Sequence, residues 1–300
     1  MKSSRSKEEL QPTLFQMEVA ELAGEQKVER PYSLQGILLG TSSFTAASWE
    51  GPFYPRGMKS RDFLSYYATQ FPAVEIDSTF YGCPSARTVS NWAARTPEDF
   101  TFSVKVPQII SHEKALVDCD AEFAEFVETM DILGPKLGPI LFQFPSFDRW
   151  KFPAQDHFLA VLIPFLKKLP SDHKFVVEIR NKNWLDAKFT DVLRERNVGL
   201  ALTDTSFMPR PWEYKEKLDF ITADFTYVRW LGDRKGIEKL TTTWDKVIVD
   251  RTDELMEWVK LMRMWTIERK FKRAFLFANN HYQGFAPATV ELFRKLWASD

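Results

Sequence analysis

Eight short β-branched or apolar runs, separated by longer stretches of helical periodicity, constrain this chain more than any other feature. The runs are Ile37–Thr41, Ala73–Asp77, Phe100–Val106, Ile140–Phe144, Phe175–Arg180, Gly199–Thr203, Thr226–Trp230 and Ala274–Asn279. Between them apolar side chains recur at i, i+3, i+4 and i+7, clearest in Phe123, Phe126, Val127, Met130, in Phe158, Val161, Leu162, Phe165 and in Leu255, Trp258, Val259, Met262. Weaker helices fit Phe63–Gln70, Ser85–Arg95, Leu185–Arg196 and Ala286–Trp297, while Phe207–Phe220 is less regular. Such alternation predicts an α/β fold, because parallel strands need long crossovers and helices cover the sheet. Eight units in about 265 residues match a single (β/α)8 barrel of the TIM type, typically about 250 residues. No linker divides them, so residues 36–300 are expected to form one barrel domain. Residues 1–35, rich in Glu, Lys, Gln and Ser, read as a partly mobile N-terminal extension. A doubly wound open sheet is the competing fold, but Gly40-Thr41-Ser42-Ser43-Phe44 does not supply a G-x-G-x-x-G turn after the first strand.

Charges inside the strands carry the functional signal. Val74-Glu75-Ile76-Asp77 and Val177-Glu178-Ile179-Arg180 alternate apolar and charged residues, and a strand's period of two puts each charged pair on one face. Val and Ile belong against the helices, so Glu75, Asp77, Glu178 and Arg180 are expected to point into the barrel. The same logic sends Ser103 and Lys105 inward from the third strand and pairs Tyr227 with Arg229 on the seventh. With Asp204, four acids face three bases near the C-terminal strand ends. That is where barrel active sites lie, and apolar filling costs less than buried charge. A salt-bridged plug is the alternative to a ligand site. Gln143, Asn279, Asn280 and His281 border the same face, with Trp49, Tyr54, Tyr81, Trp184 and Trp230 on nearby loops, a mixture suited to sugars or nucleobases.

Composition narrows the partners. Lys and Arg total 40 against 41 Asp and Glu, a net charge of −1, which argues against a dedicated nucleic-acid or acidic-membrane binder. Two cysteines, Cys83 and Cys119, form neither a disulfide framework nor a C-x-x-C motif and suit a reducing cytoplasm. The N-terminus lacks the apolar core of a signal peptide, and the longest apolar run, Phe158–Leu166, is too short to span a bilayer. Four histidines cannot build a His-rich zinc cluster, although Asp and Glu alone suffice for Mg²⁺; no metal and no cofactor are expected. His112 and His281 follow the third and eighth strands and are in reach of the mouth. No Walker A motif or G-x-S-x-G elbow is present. The basic stretch Arg263–Arg273 is assigned to the opposite face of the barrel.

At the strand ends the sequence resembles the YecE-like family, the domain of unknown function seventy-two, over about Gly40 to Ala288. The motifs are Gly40-Thr41-Ser42, Trp49 with Gly51 and Phe53-Tyr54-Pro55, Val74 through Tyr81, Val104-Lys105 with Ser111-His112, Phe142-Gln143-Phe144-Pro145, Glu178-Ile179-Arg180 with Trp184, Tyr227-Val228-Arg229 with Gly232, and Asn279-Asn280. The resemblance implies a TIM-type barrel with a polar pocket and supplies no reaction. Many members carry His after the strand-five Arg and before the strand-seven Gly; Asn181 and Leu231 stand there in this chain. The expectation is an enzyme of hydrolase or isomerase type acting on a small polar, anionic or sugar-like ligand. Glu178 with Glu75 or Asp77 would be acid and base, and Lys105, Arg180 and Arg229 would hold negative charge. A non-catalytic anion or nucleotide binder and a metal-dependent nucleic-acid phosphodiesterase are the other classes left open. The sequence leaves oligomeric state open.

Overall fold

The structure is a computed structural model, which describes residue 34, residues 36–214 and residues 218–299. The expected N-terminal extension lies, but for Leu34, outside the described residues or at their edge. Eight parallel strands close into a barrel in chain order, with β1 hydrogen-bonded to both β2 and β8. They are β1 Ile37–Thr41, β2 Ala73–Ile76, β3 Thr101–Lys105, β4 Leu137–Gln143, β5 Phe175–Glu178, β6 Gly199–Thr205, β7 Phe225–Gly232 and β8 Arg273–Ala278. Helices α1 Phe63–Gln70, α2 Ala86–Ala94, α3 Asp120–Met130, α4 Gln155–Lys168 and α5 Ala187–Arg194 follow the first five strands in turn. The short α6 Arg234–Ile237 and long α7 Thr252–Ile267 follow β7, and α8 Asn280–Gln283 and α9 Ala286–Ala298 follow β8. Among the described residues no α-helix follows β6; a 3₁₀ turn at Pro211–Glu213 lies in the segment whose periodicity was irregular.

Two apolar cores divide along the strands' period of two. Val74, Ile76, Phe102, Val104, Val177, Ile179 and Val228 belong to the large core between barrel and helices. Ala73, Leu141, Val176, Ala201, Phe225, Tyr227, Phe275 and Phe277 form a separate cluster inside the barrel. The alternation therefore sorts the faces as the sequence predicts. One correction follows from the same rule. In β6, Ala201 packs in the lumen and Leu200 and Leu202 in the outer core, so Asp204, two residues beyond Leu202, faces the helices. Its carboxylate accepts hydrogen bonds from Trp258 Nε1 of α7 at 2.8 Å, Tyr282 Oη of α8 at 2.9 Å and Arg210 Nε at 2.8 Å. Trp49 is likewise a core residue, packed edge-on against Phe53 and Phe285, with its indole N–H on Asn280 Oδ1. No helix among the described residues is long and apolar enough to cross a membrane.

Candidate functional site

Above the apolar filling, the barrel axis is occupied by charge. Strand register sets Glu75 beside Ser103, Gln143 beside Glu178 and Arg229 beside Thr203. Arg229, whose side chain is only 2% exposed, is the hub. Its Nε and Nη2 donate to Glu75 Oε1 at 3.1 and 2.8 Å, its Nη1 to Glu178 Oε2 at 2.6 Å, and its Nη2 to Asp77 Oδ1 at 2.9 Å. Glu178 also accepts from Arg180 Nε at 3.1 Å. Glu75 Oε2 contacts Tyr227 Oη at 2.6 Å. Burial opposes ionisation of Glu178, but the Arg229 and Arg180 charges outweigh it and hold the carboxyl below the usual range.

Two cavities open above this cluster. The inner, about 690 Å³, is lined by Asp77, Phe80, Lys105, Gln143, Arg229 and Asn279 among others. The outer, about 830 Å³, is lined by Ser146, Lys182, Asn183 and Trp184 among others. They share His112, Arg180, Ser206 and Phe207, and so form two lobes of one cleft. Both volumes fall within the usual range for small-molecule sites.

Lys105 is the least satisfied group. It is 8% exposed, and its ammonium makes neither a hydrogen bond nor an ion pair among the described residues, only a contact with the Phe80 ring 3.9 Å from the centroid. Burial pulls it below the usual lysine range. Arg180 keeps Nη1 and Nη2 unpaired among the described residues at the wall between the lobes, its guanidinium 5.7 Å from the Phe207 ring. His112 sits in a single π-helical turn, Ile109–Glu113, directly after β3. Such turns recur at functional sites. Ala115, Leu116 and Asp118, all non-glycine residues with positive φ, follow it, so the segment holds its shape against backbone strain. Ser111 Oγ lies 2.9 Å from His112 Nδ1, leaving Nε2 without a partner among the described residues. Burial and the Lys105 and Arg180 charges push the imidazole down to about 4, so it is neutral at physiological pH.

Of the residues expected at the site, Asp77, Lys105, Gln143, Arg180, Arg229, Asn279, His281 and Tyr81 line the inner lobe, with Tyr81 80% exposed at its rim. Trp184 lines the outer lobe, stacked on Phe158. Glu75 and Glu178 lie against Arg229 and line neither lobe. Asp204, Trp49 and Asn280 also line neither; Asn280 Oδ1 accepts from Trp49 and from the Ala286 N–H at the start of α9. Asn279 caps α8 and donates to Ser42 Oγ at 2.8 Å. Asn181 pairs both ends of its amide with the Phe147 backbone, a loop-fixing role. Phe80, Ser206, Phe207, Arg234 and Lys235 are lining residues that the sequence reading did not select, and His112, placed in reach of the mouth but given no role, lines both lobes. Each follows a strand closely, and that position was their signal. Gly232, at φ +70°, ends β7 where an added Cβ would stand 2.4 Å from the His281 carbonyl oxygen, which fixes how closely α8 approaches the mouth. No group of three or more His, Cys, Asp or Glu among the described residues is arranged to hold a metal ion.

Fold and site together define a TIM-type barrel with a charged, two-lobed cleft at the C-terminal ends of its strands. The family model described as "Protein of unknown function DUF72" matches residues 38–300, and the chain belongs to that family. UPF0759 protein YecE of Escherichia coli (strain K12) is 36% identical over 164 residues, covering 52% of this chain and 57% of that protein. UPF0759 protein YunF of Bacillus subtilis (strain 168) is 32% identical over 142 residues, covering 45% and 49%. The chain spans about half the length of the curated relatives it matches. A crystal structure of a DUF72 family protein from Thermotoga maritima MSB8 superposes with a TM-score of 0.68 at 25% identity, covering 87% of this chain and 98% of that one. Another from Enterococcus faecalis V583 gives 0.62 at 22%, covering 90% and 100%, and shares the fold.

Proposed function

We propose that the protein is an acid–base enzyme, of hydrolase or isomerase type, acting on a small polar anion that carries hydroxyl groups. The observation that carries this reading is Lys105, a buried ammonium aimed into the inner lobe with no protein counter-charge in contact. A charge left in that state is costly unless a ligand completes it. Lys105 and the free guanidinium edge of Arg180 hold the anion. Ser146, Asn183 and Ser206, whose side chains have no hydrogen-bond partner among the described residues, receive the hydroxylated remainder in the outer lobe. Asp77 is the carboxylate of the Arg229 cluster that reaches the cavity, and it serves as base. His112 is the second polar group at the ligand; burial and the nearby cations keep its imidazole neutral, so it exchanges a hydrogen bond with the ligand rather than holding a proton as imidazolium. Glu75 and Glu178 act indirectly, by fixing Arg229. The two free thiols, Cys83 and Cys119, support a reducing, cytoplasmic setting.

Thermal unfolding with carboxylates, sugar phosphates and neutral sugars tests the reading, since a ligand of the native state raises its stability. Anions are expected to stabilise the wild type, and Lys105→Met and Arg180→Ala to lose the shift while folding normally. On a ligand found to turn over, Asp77→Asn is expected to keep binding and lose about 10²- to 10⁴-fold in rate. A wild type that no anion stabilises, or a Lys105→Met variant that keeps the full shift, would overturn it.

A further inference from the structure

Three oxygen–oxygen contacts run in series through the barrel: Glu75 Oε2 to Tyr227 Oη at 2.6 Å, Tyr227 Oη to Ser103 Oγ at 2.6 Å, and Ser103 Oγ to the Pro139 carbonyl oxygen at 2.7 Å. Contacts of this length each need a hydrogen between the two oxygens. A carbonyl only accepts, so the Ser103 hydrogen points at Pro139. Tyr227 must then donate to Ser103, which has no second hydrogen to give. Tyr227 is left with none for Glu75, and the hydrogen in the remaining contact has to come from Glu75 itself. An ionised Glu75 leaves two hydrogens for three contacts; a protonated one fills all three. The other oxygen of the carboxyl, Oε1, faces Arg229 Nε and Nη2, as the carbonyl oxygen of a neutral acid can.

We propose that Glu75 is a protonated carboxylic acid in the folded protein, so that the charged group at the base of the cleft, Glu75 with Asp77, Lys105, Glu178, Arg180 and Arg229, carries one positive charge in excess and takes a singly charged anion, such as the carboxylate of a sugar acid. The ion-paired charges that remain are Arg229 and Arg180 against Asp77 and Glu178, and Lys105, close enough to feel them without touching them, makes the count three against two. The titratable and charged groups facing Glu75 are Arg229 and Tyr227 on β7, Asp77 after β2, Lys105 on β3 and Glu178 on β5. Burial pushes the Glu75 carboxyl up to about 7 against the pull of Arg229, and the Asp77 charge adds to the rise. The ligand's charge rests on the anion-binding reading above; the protonation of Glu75 does not.

Infrared difference spectroscopy of the full chain at pH 6, wild type against Glu75→Gln, reads the proton directly. The amide keeps one donor for Tyr227 and one acceptor for Arg229, so it copies the neutral acid. A carbonyl-stretch band of a buried protonated carboxyl is expected in the wild type, absent in Glu75→Gln and shifted in Tyr227→Phe, which removes its acceptor. Gluconate, glucose 6-phosphate and glucose are the binding probes. Gluconate is expected to bind best, with affinities for wild type and Glu75→Gln agreeing within about twofold at pH 6. At higher pH the wild type alone should weaken, by up to about tenfold per pH unit above ~7. Identical spectra for wild type and Glu75→Gln, or a variant that no longer folds, would overturn the protonated acid, as would gluconate binding about tenfold or more tighter to Glu75→Gln than to wild type at pH 6. A band that behaves as expected with no anion bound would leave Glu75 protonated and overturn the ligand assignment together with the anion-binding reading. Binding without the band would overturn the protonated acid alone.

Discussion

Two cations in the same barrel show how differently a buried charge is treated. Arg229 spends all three nitrogens on Glu75, Glu178 and Asp77, whereas the Lys105 ammonium has, among the described residues, only the face of Phe80. Desolvation of Lys105 is therefore offset by general field alone, from Asp77 and Glu178 at longer range. A methionine has nearly the same length and no charge to desolvate. Lys105→Met is expected to stabilise the free protein by about 1 kcal/mol or more, raising Tm by about 2 °C, while removing stabilisation by anions. Calorimetry with and without gluconate checks both halves. A destabilised variant would mean that the ammonium has protein-side compensation and is not poised for a ligand.

At the level of elements, the loop after β6 brings Ser206 and Phe207 to both lobes without a following α-helix to hold it. Asp204 does that instead: one carboxylate ties the loop's Arg210 to Trp258 of α7 and Tyr282 of α8. Removing it strands two buried donors and leaves the part-buried Arg210 guanidinium with Glu213 and Glu254 alone. Asp204→Ala is expected to cost about 3–5 kcal/mol and to weaken ligand binding by loosening Phe207; urea unfolding and gluconate titration of the variant measure the two effects separately. The eight strands and the inward charges of β2, β3, β5 and β7 were legible because parallel strands covered by helices write their two faces into alternate residues. Asp204 shows the limit of reading type before position: its acidity suggested the mouth, while the Ala201–Leu202 alternation already sent it outward. Trp49 and Asn280 carried the chemistry of a sugar site but pair with each other instead. His112 was visible as a residue beyond β3, yet its orientation depends on a π-helical turn and three left-handed residues that leave no periodic trace. Ser206 and Phe207 were missed because β6 runs on through the polar Asp204 and Thr205.

For the whole molecule, the cleft sets two pH slopes against each other. Glu75 holds its proton up to about 7 in the folded chain, against 4.5 for an ordinary glutamate. Between those values the folded state binds more protons than the unfolded one, so this group's contribution to stability is complete at lower pH and is lost as pH rises toward 7. His112 has the opposite sign. Its folded value of about 4 lies below 6.5, so across that interval the unfolded chain binds the proton and stability rises with pH. Wild-type Tm should therefore change little between pH 4.5 and 6.5 on account of this pair, with His112 offsetting Glu75. Glu75→Gln removes the falling slope and leaves the rising one. Its Tm relative to wild type is expected to climb steadily from pH 5 to pH 7 and then level off, because above that range neither form of residue 75 takes up a proton. Parallel Tm curves for the two proteins across that interval would place the proton elsewhere in the cluster, and would take from the proposed anion binding the excess positive charge on which it rests.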